Sequence, residues 1–366
     1  MAQLPRPVLL VGSVPLAPAA RVFETVSRAL GDLVQRIPDG EQIGWSGAAR
    51  RTFREHPMLE LSRRVPLNAH GADPVEIFRL KDGSRSDELV LGPYGYAENA
   101  IRSYAAFRTL RDQGVIAAGT RFQATLAGPG TTAFCIALPA EDILPISRAA
   151  LAREIERMTA HIPARDLTIQ LDIAMEAEHE EWLRRPQDFD QPLHTVFHWT
   201  LEQMAESAAW LANQIPAEVE LGLHICSIWH HDPAAGQDNK VLVDAANAIL
   251  GRIKRPVGYV HIPIIPEHTE ADFAPLSDLQ LPPEAQLYLG LLNLGDGLEG
   301  AAQRIAFAKT IGLNFGIGWY CGLGRPPLPD ARGPSAHANP PVPALRRATA
   351  DTLQSVLDLH RRAALL

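Results

Sequence analysis

His224 and Cys226 stand two residues apart in the run Leu223-His224-Ile225-Cys226, and Cys321 closes another apolar run near the far end of the chain. In an extended strand, residues i and i+2 face the same side. The imidazole and the first thiol are therefore presented together. Two soft thiolates with one imidazole form a ligand set suited to Zn²⁺. Zinc held with an open position can keep a substrate thiol as a thiolate at neutral pH, ready to attack an electrophilic carbon. It can equally activate water or polarise a carbonyl for a lyase or hydrolase. Taken singly, each residue reads as core, since unoxidised cysteine is often simply buried. Together at strand ends, they read as a metal site.

Other candidates are weaker. His194 and His198 have the i, i+4 spacing of a helical zinc pair, but Thr195 stands where the metalloprotease motif needs Glu. His230 and His231 follow the His-x-Cys run, where Asp232 would orient one of them; with Asp296, they are candidates to protonate a leaving group. Gly128-Pro129-Gly130-Thr131-Thr132 lacks the Lys-Ser/Thr ending of a phosphate loop and predicts a tight turn opening a helix. No G-x-S-x-G elbow supports serine-hydrolase chemistry. Cys135, in a helical stretch, is expected in the core.

The elements that must position these residues recur in a rhythm of short apolar run and amphipathic helix. The runs are Val8–Val14, Leu33–Ile37, Arg121–Ala127, Leu167–Ala174, Glu220–Ser227, Val257–Ile264, Gln286–Asn293 and Asn314–Cys321. Most are apolar on both faces, as parallel strands covered by helices must be. Val22, Val26, Ala29 and Leu30 mark the first helix. Leu201, Met204, Ala208 and Leu211 mark the one before the fifth run, and Leu345, Ala348, Leu353, Val356 and Leu357 a closing one. Eight alternations without a break predict an α/β fold of the (β/α)8 TIM-barrel type, with residues 1–366 as one domain. Two segments depart from the rhythm. Gln42–Thr120 is a long insertion after the second strand, with a helix over Tyr96–Gln113 and a polar turn at Lys81–Glu88. Pro326–Pro343 is an irregular Pro-rich segment after the eighth, placed to cover the barrel mouth or act as a lid.

Active sites of such barrels collect at the C-terminal strand ends. Polar residues cluster there: Gly12-Ser13, Asp39-Gly40-Glu41, Gln170 with Asp172 and Glu176, His224 with Cys226, His261, Asn293 with Asp296, and Cys321. Polar groups inside apolar strands are costly unless paired. Trp45, Tyr94, Tyr96, Trp229, Trp319 and Tyr320 near the predicted mouth suggest a small organic substrate with flat or apolar parts.

The chain has 366 residues, is 46% hydrophobic and carries a net charge of −8. No basic block suggests nucleic acid or a membrane surface, and Val8–Leu16 is too short to span a bilayer. A cytoplasmic protein is expected. Three cysteines make no disulfide framework, which favours metal ligation or catalysis. The oligomeric state is open, a homo-oligomer included.

These residues also resemble a family: the catalytic C-terminal barrel of cobalamin-independent methionine synthase and its short single-barrel relatives in the uroporphyrinogen decarboxylase/methionine synthase-like superfamily. Val11-Gly12-Ser13 resembles the opening strand, whose serine contacts the amino-acid substrate. Asp39-Gly40-Glu41 resembles the Gly-Glu turn, whose glutamate binds the substrate amine. Ala127-Gly128-Pro129 resembles the Thr-Gly-Pro turn, and Gln170-Leu171-Asp172 the Gln-x-Asp strand. Leu223-His224-Ile225-Cys226 and Cys321-Gly322-Leu323 resemble the His-x-Cys and Cys-Gly-Leu zinc segments. The departures are equally specific. His261 stands near the position of the family's glutamate ligand. Leu292-Asn293-Leu294-Gly295-Asp296 replaces the general-acid histidine segment, and Ile173-Ala174 replaces Glu-Pro after the aspartate. The folate-associated N-terminal half has no counterpart.

The resulting expectation is a zinc-dependent transferase, one zinc per chain, moving a methyl or alkyl group to a metal-activated thiol co-substrate. His224, Cys226, Cys321 and His261 are the metal candidates. Ser13, Glu41, Gln170, Asp172, Asn293 and Trp319 are the substrate-binding candidates, with Ser13 on a carboxylate and Glu41 and Asp172 on an ammonium or hydroxyl. A zinc lyase or hydrolase, and a metal-free decarboxylase-like or binding barrel, are the competing readings.

Overall fold

A computed structural model of the protein describes residues 4–45, 47–65, 75–175, 199–226, 239–265, 268–324 and 348–366. Each apolar run contains or overlaps a strand, and the helical patterns between them become helices. In chain order these are β1 (Val8–Leu9), α1 (Ala19–Leu30), β2 (Arg36–Pro38), α2 (Gly47–Glu55), β3 (Leu59–Val65), β4 (Val75–Leu80), α3 (Tyr96–Asp112) and β5 (Arg121–Ala127). Then follow α4 (Pro129–Ala133), α5 (Ala140–His161), β6 (Leu167–Ile173), α6 (Leu201–Ala212), β7 (Glu220–Ile225), α7 (Asn239–Leu250) and β8 (Tyr259–Pro263). The chain ends with β9 (Gln286–Leu292), α8 (Gly297–Thr310), β10 (Phe315–Trp319) and α9 (Leu353–Ala363).

Eight strands form one parallel sheet in the order β1-β10-β9-β8-β7-β6-β5-β2. The two end strands meet through parallel bridges between Val8 and Val34 and between Ser13 and Gly40, which bring the sheet round into a (β/α)8 barrel. Helices cover the outside because the outward strand residues are as apolar as the inward ones; β6 is buried along its whole length. Helix starts are set by local chemistry. Thr200 and Gln203 form a capping box at α6. The Glu154 carboxylate accepts from the amides of Tyr94, Gly95 and Ala97 at the start of α3.

The barrel interior is filled in layers, large side chains against glycine. A Cβ on Gly222 would lie 2.0 Å from the Tyr259 ring, and one on Gly316 would lie 2.5 Å from Tyr288. At the strand starts, Arg36 donates to Glu220 at 2.9 Å and to Tyr288 Oη at 3.2 Å, and lies 4.6 Å over the Tyr259 ring centroid. Arg36, Tyr259 and Tyr288 are all buried, so this end is plugged.

The insertion differs from expectation. Its helix is present as α3, but α2 and an antiparallel hairpin, β3–β4, accompany it. The closing helix begins only at Leu353; Ala348 lies ahead of it, its amide bonded to Leu323 O at 2.7 Å. Leu345 and Pro326–Pro343 lie outside the described residues. Gly128–Thr132 opens the short helix α4, with Pro129 in its first turn. Cys135 is fully buried, and burial pushes its thiol up to about 11. No helix among the described residues is long and apolar enough to cross a membrane.

Candidate metal centre and the polar cluster beside it

Parallel register places Asp172, His224 and His261 abreast on β6, β7 and β8. Cys226 follows β7 on the same face as His224. Cys321 follows β10 in a turn pressed onto the end of the first run. There Leu323 N donates to Ser13 O at 2.9 Å, and a Cβ on Gly322 would lie 2.0 Å from Ser13 Oγ. Glycine at 322 thus lets Cys321 come in over the barrel.

The ligand atoms of His224, Cys226 and Cys321 all lie within 4.8 Å of one another. Cys226 Sγ is 3.7 Å from Cys321 Sγ, and Cys321 Sγ is 3.6 Å from His224 Nε2. Tetrahedral zinc with ordinary Zn–S and Zn–N bonds requires edges of ~3.8 Å and ~3.6 Å. The residues fit the metal in donor type and in these two separations.

Burial would lower the His224 pKa, but the hydrogen bond to Cys321 and the charges of Cys321, Asp172 and Glu41 outweigh it and raise it. His261 is driven well below the usual histidine range by burial and by the neighbouring His224. His224 Nδ1 and His261 Nδ1 are 2.8 Å apart, and His261 Nε2 is 3.1 Å from Trp319 O. His261 therefore turns its nitrogens to a histidine and a carbonyl, and is absent from the group of close ligand atoms.

A polar cluster adjoins these three residues. Gln170 Nε2 donates to Asp172 Oδ1 at 2.7 Å and to Val11 O at 2.6 Å, while Gln170 Oε1 accepts from Tyr259 Oη at 2.7 Å. Gln123 Nε2 reaches Val11 O at 2.9 Å and Gln170 Oε1 at 3.2 Å. Burial pushes the Asp172 carboxyl up to about 8, against the pull of His224 and Gln170 and with a further push from Glu41. Glu41 has φ 57°, a left-handed conformation unusual for a side-chain-bearing residue. Asp39 holds that turn: its carboxylate accepts from Glu41 N at 2.9 Å, Asn99 Nδ2 at 2.6 Å and Ser103 Oγ at 2.9 Å. A Cβ on Gly12 would lie 2.5 Å from Glu41 Oε1, so the glycine makes room for the carboxylate. Asp39, Glu41, Tyr96, Asn99 and Thr125 line a cavity of about 20 Å³, enough for a group the size of water or ammonium. Thr125 Oγ1 is buried and has no hydrogen-bond partner among the described residues.

Ser13, Glu41, Gln170 and Asp172 thus gather with His224, Cys226 and Cys321. Three further candidates have other partners. Asn293 Oδ1 accepts from Gly295 N at 2.6 Å, a local turn. Asp296 is clamped by Arg304 at 2.5 and 3.0 Å. The Trp319 side chain stacks on His360 of α9, on the outer face of the sheet, and its carbonyl reaches His261. His194, His198, Trp229, His230 and His231 lie outside the described residues. Asp39 was recognised as part of a strand-end cluster but not as the clamp on Glu41. Gln123 and Tyr259 were missed; an isolated glutamine inside the run Arg121–Ala127 is the signal that marks the first.

No family model matches the chain, and no curated protein matches it. Among solved structures, the chain is similar to a B12-independent methionine synthase from Shewanella sp. W3-18-1 in complex with selenomethionine. The identity is 13% and the TM-score 0.47, over 99% of this chain and 95% of that one. It is also similar to the carboxyl transferase domain from Rhizobium etli pyruvate carboxylase, at 10% identity and TM-score 0.27, over 94% of this chain and 58% of that one. At these identities and scores, neither likeness assigns an activity.

Proposed function

We propose that the protein is a zinc-dependent transferase that moves a methyl or alkyl group from a small organic donor to a thiol. The observation that carries this is the pair of ligand separations, 3.7 Å between the sulfurs and 3.6 Å from Cys321 to His224 Nε2. His224, Cys226 and Cys321 would hold the zinc, which, when bound, lowers the pKa of a substrate thiol and favours its thiolate. The other residues bind and orient. Glu41 lies beside the water-sized cavity and has the charge to accept an ammonium group. The Thr125 hydroxyl, which has no hydrogen-bond partner among the described residues, would supply a further contact. Asp172, fixed by Gln170, offers a second polar contact beside His224. Ser13, at the seam between the first run and the Cys321 turn, would take a carboxylate. In the transfer, a carbon–leaving-group bond breaks as the S–C bond forms, and the leaving group takes up the proton released by the thiol.

The test is metal content together with thiol dependence. Purified protein should contain about one zinc per chain. Turnover should require an added thiol that becomes alkylated. Metal-free protein with full activity would sink the zinc assignment. Turnover without any thiol would assign the site to water or carbonyl activation instead.

A further inference from the structure

Neighbouring strands β7 and β8 put His224 and His261 side by side, ring centroids 4.8 Å apart. The contact between the two Nδ1 atoms, 2.8 Å, can hold one proton only. Which ring supplies it follows from the far side of His261. Its Nε2 is 3.1 Å from the Trp319 carbonyl, which can only accept, so His261 Nε2 carries hydrogen. Among the described residues, His261 has no carboxylate partner, and the ring is fully buried. A buried imidazolium without a counter-ion is costly, so the ring is neutral and its Nδ1 is a lone pair. The shared proton therefore belongs to His224 Nδ1, and Nε2 is the His224 nitrogen left to face Cys321.

The seat of His261 is built by the backbone. A Cβ on Gly290 would lie 3.2 Å from His261 Nε2, and one on Gly318 would lie 3.3 Å from it. Side chains at either position would crowd the ring. Two glycines and one carbonyl fix the plane and direction of a histidine whose other nitrogen addresses a metal candidate.

We infer that His261 is a positioning residue: it is not a zinc ligand, but accepts the Nδ1 proton of His224 and so commits His224 Nε2 to the metal. The inference rests on the zinc reading for its purpose, though not for its geometry. Its consequence is that the described residues give the metal three protein ligands, leaving a further position for substrate.

The experiment compares the parent with His261→Gln and His261→Phe. Glutamine can donate its amide to Trp319 O and accept from His224; phenylalanine can do neither. Zinc affinity, read by competition with a chelator, should stay within about threefold of the parent in the glutamine variant and fall ~10–100-fold in the phenylalanine variant, as for loss of an orienting partner. X-ray absorption at the zinc edge should give the same number of imidazoles in parent and glutamine variant. One imidazole fewer in the glutamine variant overturns the inference. Nitrogen NMR of the metal-free parent decides independently. A hydrogen on His224 Nδ1 is expected, and a bare Nδ1 there overturns the inference even if His261→Phe fails to fold. Should the protein bind no zinc, the transferase reading fails, while this measurement still decides the histidine pair.

Discussion

Cys226 and Cys321 hold their sulfurs 3.7 Å apart across 95 residues of chain. That is far longer than the ~2 Å of a disulfide bond and matches two ligands sharing a tetrahedral ion. Cys321→Ser should reduce bound zinc from about one per chain to a small fraction at micromolar metal, because a hydroxyl is a poor substitute for a thiolate. Circular dichroism should report an unchanged fold, with elemental analysis reading the metal.

Glu41 adopts φ 57°. Left-handed conformations in residues other than glycine cost on the order of 1–3 kcal/mol. Glu41→Gly should therefore raise stability by about 1 kcal/mol after the added flexibility of the unfolded chain is counted. The same change should raise the KM for an amine-bearing substrate at least tenfold. Denaturant unfolding and steady-state kinetics read the two effects; a destabilised variant would show that the Glu41 side chain contributes more than its backbone costs.

Burial pushes Asp172 up to about 8. Between its unfolded value, near 4, and 8, the metal-free folded protein binds more protons here than the unfolded chain does. The contribution of Asp172 is therefore fully favourable below pH 4 and is lost as pH rises through 8. Asp172→Asn should match the parent near pH 4 and exceed its stability by several kcal/mol near pH 8, while lowering turnover. Urea titrations of metal-free protein across this range provide the check.

His360 is shifted the opposite way. Burial lowers it to about 4, against the opposing bond from Nδ1 to Val356 O at 2.8 Å, and the ring stacks on Trp319 at 5.9 Å. Its contribution is present above the unfolded value of about 6.5 and is lost as pH falls through 4, a swing on the order of 3 kcal/mol. His360→Phe keeps a flat ring against Trp319 and should flatten the stability profile of the protein between pH 6.5 and 4.

Gly222→Ala would place a Cβ 2.0 Å from the fully buried Tyr259 ring. Overpacking of this kind typically costs ~1–3 kcal/mol. The tyrosine is also bonded to Gln170, so a loss at the upper end of that range, with weaker substrate binding, is expected in unfolding and binding measurements.

The strands were legible because parallel barrel strands are apolar on both faces, and the grouping of His224, Cys226 and Cys321 because soft donors at strand ends are few. The β3–β4 hairpin was hidden. Leu59–Val65 carries Arg63 and Arg64, and its register shifts between Leu61 and Arg63, which erases the period-two signal. Trp319 was misdirected because composition cannot tell which face of β10 is inward. Gly316 and Gly318 could have told it, since they are the residues that Tyr288 and His261 press against. The pairing of His224 with His261 depends on the register between two strands and has no signature in either segment alone.

Arg36, Glu220, Tyr259 and Tyr288 close the end where the strands begin. These side chains fill the barrel where its strands begin, and Tyr259 carries that packing up to Gln170. Anything that meets Gln170 and Asp172 therefore comes from the side where the strands end: the closed end makes the barrel a cup rather than a tube.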